Sequence, residues 1–168
     1  GIVFLPQRHD QKNMIEEWFE EIIREEGQNF LGWREVPHDS DQIGQVAQSV
    51  EPEFRQIFIG KGDSIADELA FERKLFVIRK RVENKVNQSN LSEKDFFYIC
   101  SLSTRTIVYK GQLMSTQVGP FFNDLGDERF VSAIALVHSR YSTNTFPTWS
   151  LAHPYRMVAH NGEINTLR

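Results

Sequence analysis

Apolar positions along the first ninety residues alternate between two spacings. Ile2-Val3-Phe4-Leu5 is a continuous apolar run that Pro6 ends, which predicts a strand over 1–6. Met14, Ile15, Trp18, Phe19, Ile22 and Ile23 then recur at helical spacing, with Asp10 placed to cap the helix and Gly27 to stop it. Residues 30–36 predict a second strand closed by Pro37, and Ser40 or Asp41 starts a short helix carrying Ile43, Val46 and Ala47. Residues 55–59 alternate as a third strand before a turn at Gly60-Lys61-Gly62. Asp63 is placed to cap a long helix in which Phe71, Leu75, Ile78, Val82 and Val86 share one face, and 87–92 read as a polar loop.

With 96–102 as the next strand, the order approximates a βαββαβ pattern. This predicts a ferredoxin-like portion over residues 1–95, fused to or inserted in a larger sheet. Residues 96–168 are strand-dominated, with strands expected at 96–102, 105–110, 131–138 and 155–160 and a helical segment near 116–122. The fold class is therefore α+β. Apolar runs at 131–137 and 157–159 each lead into a polar, turn-forming tip and read as buried strands. Such tips can hold polar groups at fixed geometry.

Composition narrows the function classes. A chain of 168 residues with 40% apolar and 25% charged residues is long enough for one well-cored domain. A formal charge of −4 leaves no basic footprint for nucleic acid and no polybasic segment for an acidic membrane. No apolar run approaches the ~20 residues that span a bilayer, and the first residues lack the pattern of a signal peptide. A single cysteine permits no internal disulfide, which fits a reducing compartment such as the cytoplasm or a plastid stroma.

The two tips carry the candidate chemistry. Arg140 offers a planar fork of N–H donors suited to a carboxylate. Asn161 and Gly162 together offer a side-chain amide and a closely approachable backbone N–H to an oxyanion. The bland alternatives are an ordinary Asn-Gly turn and a solvated arginine at a strand end. His138, His153 and His160 match no usual ligand spacing, so no metal site is expected. Gly60-Lys61-Gly62-Asp63-Ser64 lacks the spacing of a phosphate loop and reads as turn plus cap. Arg79-Lys80-Arg81, with Glu72 and Glu83 nearby, reads as a solvated helix face. Cys100, inside Phe96-Phe97-Tyr98-Ile99-Cys100, reads as a small core residue.

The run HSRYSTNTFPTW at 138–149 with LAHPYRMVAHNGEINTLR at 151–168 resembles the class-II, N-terminal-nucleophile glutamine amidotransferase domains of glutamate synthase large subunits. The resemblance extends through FERKLFVIRKR at 71–81 and FYICSLSTRTIVYKG at 97–111, and more loosely to GIVFLPQ at 1–7. It implies a four-layer αββα fold, present here in part, with 96–168 supplying core strands and glutamine-site loops. It implies that Arg140 pairs with the α-carboxylate of glutamine, with Ser142 or Thr143 as hydroxyl partners. Asn161 and Gly162 would form the oxyanion hole. Where related amidotransferases carry Trp after this Arg, this chain has Tyr141.

The family's nucleophile is a cysteine whose own α-amine serves as base. Gly stands at position 1 and Cys100 lies within a strand, so that nucleophile is expected outside this sequence, as is the aspartate that holds the glutamine α-amino group. The isolated chain is accordingly expected to be inactive. The resemblance implies that the parent hydrolyses glutamine and passes ammonia to synthase domains that aminate 2-oxoglutarate with FMN and an iron–sulfur cluster. None of those cofactors is expected in this chain. Strands cut from a larger sheet would expose edges and favour homo-oligomers. A non-catalytic glutamine-binding or assembly module, or another member of the amidotransferase class, are the alternative readings.

Overall fold

The computed structural model describes residues 1–139, 141 and 146–155. The chain divides into two compact units, one built from residues 1–35 and 52–108, the other from residues 36–51 and 109–168. The architecture is mixed α+β with an antiparallel sheet.

The first unit holds β1 (Ile2–Leu5), α1 (His9–Glu25), β2 (Asn29–Glu35), β3 (Glu53–Gly60), α3 (Glu68–Gln88) and β4 (Tyr98–Ile99). Short α2 (Gln45–Ser49) belongs to the second unit. The sheet order is β2-β3-β1-β4, and every pair is antiparallel. β1 is central, and all four of its residues are buried. That explains its unbroken apolar run: a strand covered on both faces has no polar alternation to show. Val3 and Leu5 join the cluster formed with the helices, while Phe4, on the other face by alternation, packs edge-on against Phe54 at 5.3 Å between ring centroids.

The two helices lay apolar stripes onto the sheet. α1 buries Ile15, Phe19, Ile22 and Ile23, and α3 buries Phe71, Leu75, Ile78, Val82 and Val86. Both stripes follow the predicted spacing except at Met14, which is 42% exposed at the edge of its face. α1 ends at a Schellman turn: Gln28 N donates to Ile23 O, Gly27 N donates to Arg24 O (both 2.9 Å), and Gly27 has φ +70°. Only glycine takes that conformation without steric cost, which is why the helix stops there.

Several sequence expectations need correction. Asp10 does not cap α1; its carboxylate takes the Arg8 guanidinium, and Arg8 holds the cap position with no side-chain bond. α3 begins later than Asp63 predicts, and its cap is Asp67, whose Oδ1 accepts from Ala70 N at 2.6 Å. Both aspartates satisfy the cap chemistry, so the sequence alone could not choose between them. Arg79 is buried, not solvated: its guanidinium folds back on Glu83 at 2.7 Å. Arg81 reaches Glu25 and Glu26 at the end of α1, and Lys85 reaches Glu21. Lys74 and Arg81, in that order, hold the Glu26 carboxyl below the ordinary range.

The strand expected at 96–102 is present only as Tyr98–Ile99. The segments 105–110 and 131–138 form no strand. Val131, Ile134, Leu136 and Val137 are 86%, 77%, 72% and 86% exposed. An apolar run states what could be buried; a strand also needs a hydrogen-bonding neighbour, and among the described residues this segment has none. Residues 156–160 of the last expected strand lie outside the described residues.

Replacing Asp67 by Ala should lower stability by about 1 kcal/mol, the usual worth of an N-cap. Urea unfolding checks this, with Asp63→Ala as the control expected to change little. Equal losses in both would return the cap to Asp63.

Candidate functional site

Arg140, Ser142, Thr143, Asn161 and Gly162 all lie outside the described residues, as does His160. What is described is the frame around them in the second unit: the segments 36–51 and 109–139, Tyr141, and the turn at 146–155. This turn is the stretch of chain that joins the two candidate segments.

The base of the unit is a pairing of two loops. His38 bridges Phe122, Asp39 N donates to Phe121 O at 2.9 Å, and Asn123 N donates to Pro37 O at 3.2 Å. Helix α4 (Val118–Phe121) places Phe121 so that its ring meets Phe122 edge-on at 4.8 Å and Trp149 at 5.8 Å. Trp149 is 4% exposed, and its indole N–H donates to Ala47 O at 3.1 Å. A buried indole needs such an acceptor, and here α2 supplies it.

Against this base the chain at 110–112 grips the turn. Lys110 is 3% exposed, and its ammonium donates to Ser150 O at 2.8 Å and to Ala152 O at 2.9 Å. The same ammonium lies 5.2 Å from the ring centroid of Tyr155. Gln112 Nε2 donates to Pro147 O at 2.7 Å. Tyr141 Oη contacts Gly111 O at 3.0 Å and Thr148 O at 3.2 Å. Burial, then the neighbouring Tyr155, push the Tyr141 phenol up to about 12, so it keeps its proton at neutral pH and acts as a donor.

His138 and His153 lie with ring centroids 4.4 Å apart, and His153 stacks on Tyr155 at 4.6 Å. Among the described residues no group of three or more His, Cys, Asp or Glu could hold a metal ion. Cys100 is 2% exposed in the first unit, and its N–H donates to Ile2 O at 2.9 Å, which fits the core role expected of it. The first unit also has a cleft of about 330 Å³ between Gln56, Ile57, Phe71, Leu75 and Arg105, which contains none of the candidate residues.

Lys110, Gly111 and Trp149 fall in runs that carry the family resemblance, but neither they nor Gln112 stand out as site-related by residue type or spacing. Burial of the Lys110 ammonium is decided by the fold.

Comparison with known proteins supplies the family. The model of the class-II glutamine amidotransferases matches residues 1–168. The NADPH-type glutamate synthase large chain of Bacillus subtilis is 55% identical over 168 residues, and that of Azospirillum brasilense is 47% identical over 169. The chloroplastic ferredoxin-dependent glutamate synthase of Oryza sativa is 42% identical over 170 residues. Each alignment covers all of this chain but only 11%, 11% and 10% of the respective relative. The match spans both units and both candidate segments: the chain belongs to the class-II glutamine amidotransferases.

Proposed function

We propose that this chain is part of the amidotransferase domain of a glutamate synthase, which hydrolyses glutamine to glutamate and ammonia for the amination of 2-oxoglutarate. The observation that carries this reading is identity of 55% and 47%, over the whole chain, to two proteins named glutamate synthase large chain.

In this reading Arg140 pairs its guanidinium fork with the α-carboxylate of glutamine, with Ser142 or Thr143 as hydroxyl partners. A cysteine thiolate supplied by the longer polypeptide attacks the carboxamide carbon, and its free α-amine takes and returns the proton. The carbonyl oxygen becomes an oxyanion, received by the Asn161 side-chain amide and the Gly162 N–H. Ammonia leaves, water releases glutamate, and the thiol is restored. The βαββαβ order of the first unit supports a ferredoxin-like portion; the boundary expected at residue 95 falls short of β4, and the unit itself takes in residues 1–35 and 52–108. Residues 96–168 belong to the core of a four-layer αββα domain.

FMN and an iron–sulfur cluster belong, in this reading, to other domains of the parent. The residues here do not fit a cluster: it needs several thiolates, and the chain's sole cysteine is buried beside β1. Partners are glutamine and the synthase domains; the compartment is the cytoplasm or a plastid stroma. No helix among the described residues is long and apolar enough to cross a membrane.

The test is glutamine turnover by the full polypeptide that carries this chain, with Arg140→Ala beside it. Loss of the carboxylate fork should raise KM for glutamine about tenfold or more, the scale of a charge-assisted hydrogen-bonded pair. An unchanged KM in Arg140→Ala would remove Arg140 from the site.

A further inference from the structure

The outer face of α3 is built differently from the outer face of α1. Outward, α1 exposes Asn13, Glu17, Glu21, Arg24 and Glu25, with Met14 its one exposed large apolar residue. α3 instead exposes Leu69 at 61%, Phe76 at 41% and Val77 at 39%. These three stand at i, i+7 and i+8, on the side of the helix opposite the stripe of Phe71, Leu75, Ile78, Val82 and Val86. The inner stripe already packs α3 onto the unit, so the outer one adds nothing to that packing.

Arg73 sits in the middle of the outer stripe. Each of the other cations on α3 reaches a carboxylate. Lys74 and Arg81 reach Glu26, Arg79 and Lys80 reach Glu83, and Lys85 reaches Glu21. Arg73 is exposed and, among the described residues, has no such partner. Its neighbours at i±3 and i±4 are Leu69, Ala70, Phe76 and Val77, so the helix offers it no carboxylate at pairing distance. A guanidinium ringed by exposed apolar side chains has the composition of an interface centre, where arginine and aromatic residues carry much of the binding energy.

We propose that the outer face of α3, centred on Arg73, docks another part of the longer polypeptide, which brings an apolar surface and a carboxylate for the guanidinium. This rests on the reading of the chain as part of a longer synthase polypeptide. The charge selects the occupant: an unpaired cation among apolar groups is complemented by an anion among apolar groups. A second copy presenting the same face would add another Arg73 and Lys80 and no unpaired carboxylate, so the face is not self-complementary.

The size of the stripe points the same way. Three apolar side chains and one arginine fall well short of the ~1,200–2,000 Å² that a stable complex between separate proteins buries. A tethered domain needs less, because the covalent link holds it at high effective concentration. The aligned region makes up only 11%, 11% and 10% of the three relatives, so in proteins of that length most of the polypeptide lies elsewhere and is available to dock.

The experiment uses the full polypeptide that carries this chain. Arg73→Lys keeps the charge and introduces an amine that a zero-length carbodiimide couples to a carboxylate in contact with it, with loss of water. Mass mapping should find position 73 joined to an Asp or Glu outside these 168 residues. Coupling only to carboxylates within them, in the same or a second copy, overturns the proposal, and so does the absence of coupling.

Hydroxyl-radical footprinting gives a second, independent readout on the unmodified interface. Arg73→Glu, a change at an exposed position that the fold does not use, should raise oxidation of Phe76 severalfold. Phe58, 42% exposed on β3, is the reference and should be unchanged. Equal Phe76 oxidation in the wild type and Arg73→Glu overturns the docking. Glutamine turnover by the same wild-type polypeptide separates the two layers of inference. Turnover without coupling at position 73 sinks only the docking face, whereas coupling without turnover sinks the synthase reading and leaves the docking face in place.

Discussion

Asn161→Ala in the full polypeptide should lower kcat for glutamine hydrolysis by a factor of about 10²–10³, with KM nearly unchanged. The asymmetry follows from when the charge develops. The carboxamide oxygen of bound glutamine is neutral and needs little from an oxyanion donor. The same oxygen in the tetrahedral intermediate carries a full charge, and a fixed amide dipole aimed at it lowers the barrier by about 3–4 kcal/mol. Gly162 would still offer its backbone N–H, so a residual rate should persist. Single-site ammonia-release kinetics check this. A KM rise at constant kcat would mean that Asn161 binds the ground state, and an unaffected enzyme would reduce Asn161-Gly162 to an ordinary turn.

Phe19→Ala should have the largest effect on stability, about 3–5 kcal/mol. Phe19 is fully buried, with its ring edge-on to Trp33 at 5.3 Å and tilted against Phe97 at 6.3 Å. Truncation removes the transfer free energy of the ring and leaves a cavity walled by α1, β2 and the chain before β4. Those surroundings cannot collapse to fill it, because they are fixed by sheet hydrogen bonds and by the α1–α3 contact. Such a loss is a large share of the ~5–15 kcal/mol net stability of ordinary domains. Phe76→Ala on α3 is the control: Phe76 is 41% exposed and should cost less than about 1 kcal/mol. Urea unfolding monitored by tryptophan fluorescence compares the two. Equal midpoints for both variants would contradict the packing described for α1.

Much of the first unit was legible because each element there is dictated by local rules. β1 announces itself by an unbroken apolar run, and α3 by five apolar residues at helical spacing, all of which are buried. Gly27 marks the end of α1 because only glycine takes φ +70° freely. Cap choice was less legible, since Asp10, Asp63 and Asp67 are chemically alike and the neighbouring packing decides which one meets the helix end.

The second half was harder for a different reason. The run 131–137 has the composition of a buried strand, yet its apolar side chains are exposed, because strand formation depends on a partner that no local pattern encodes. Arg140, Asn161 and Gly162 could be singled out from their residue types and from resemblance, since a guanidinium fork and an Asn-Gly pair have specific chemical uses. The block at 110–112 could not. A lysine, a glycine and a glutamine in a row carry no periodic signal, and their contacts cross 30 to 42 positions of sequence. By itself, then, the sequence determined the helical and apolar-strand elements of the first unit and the family of the whole chain. Only the tertiary structure decided which charged groups are buried and what they hold. Burial of an ammonium such as Lys110 depends on distant carbonyls arriving to accept its N–H groups, and that is a property of the folded chain.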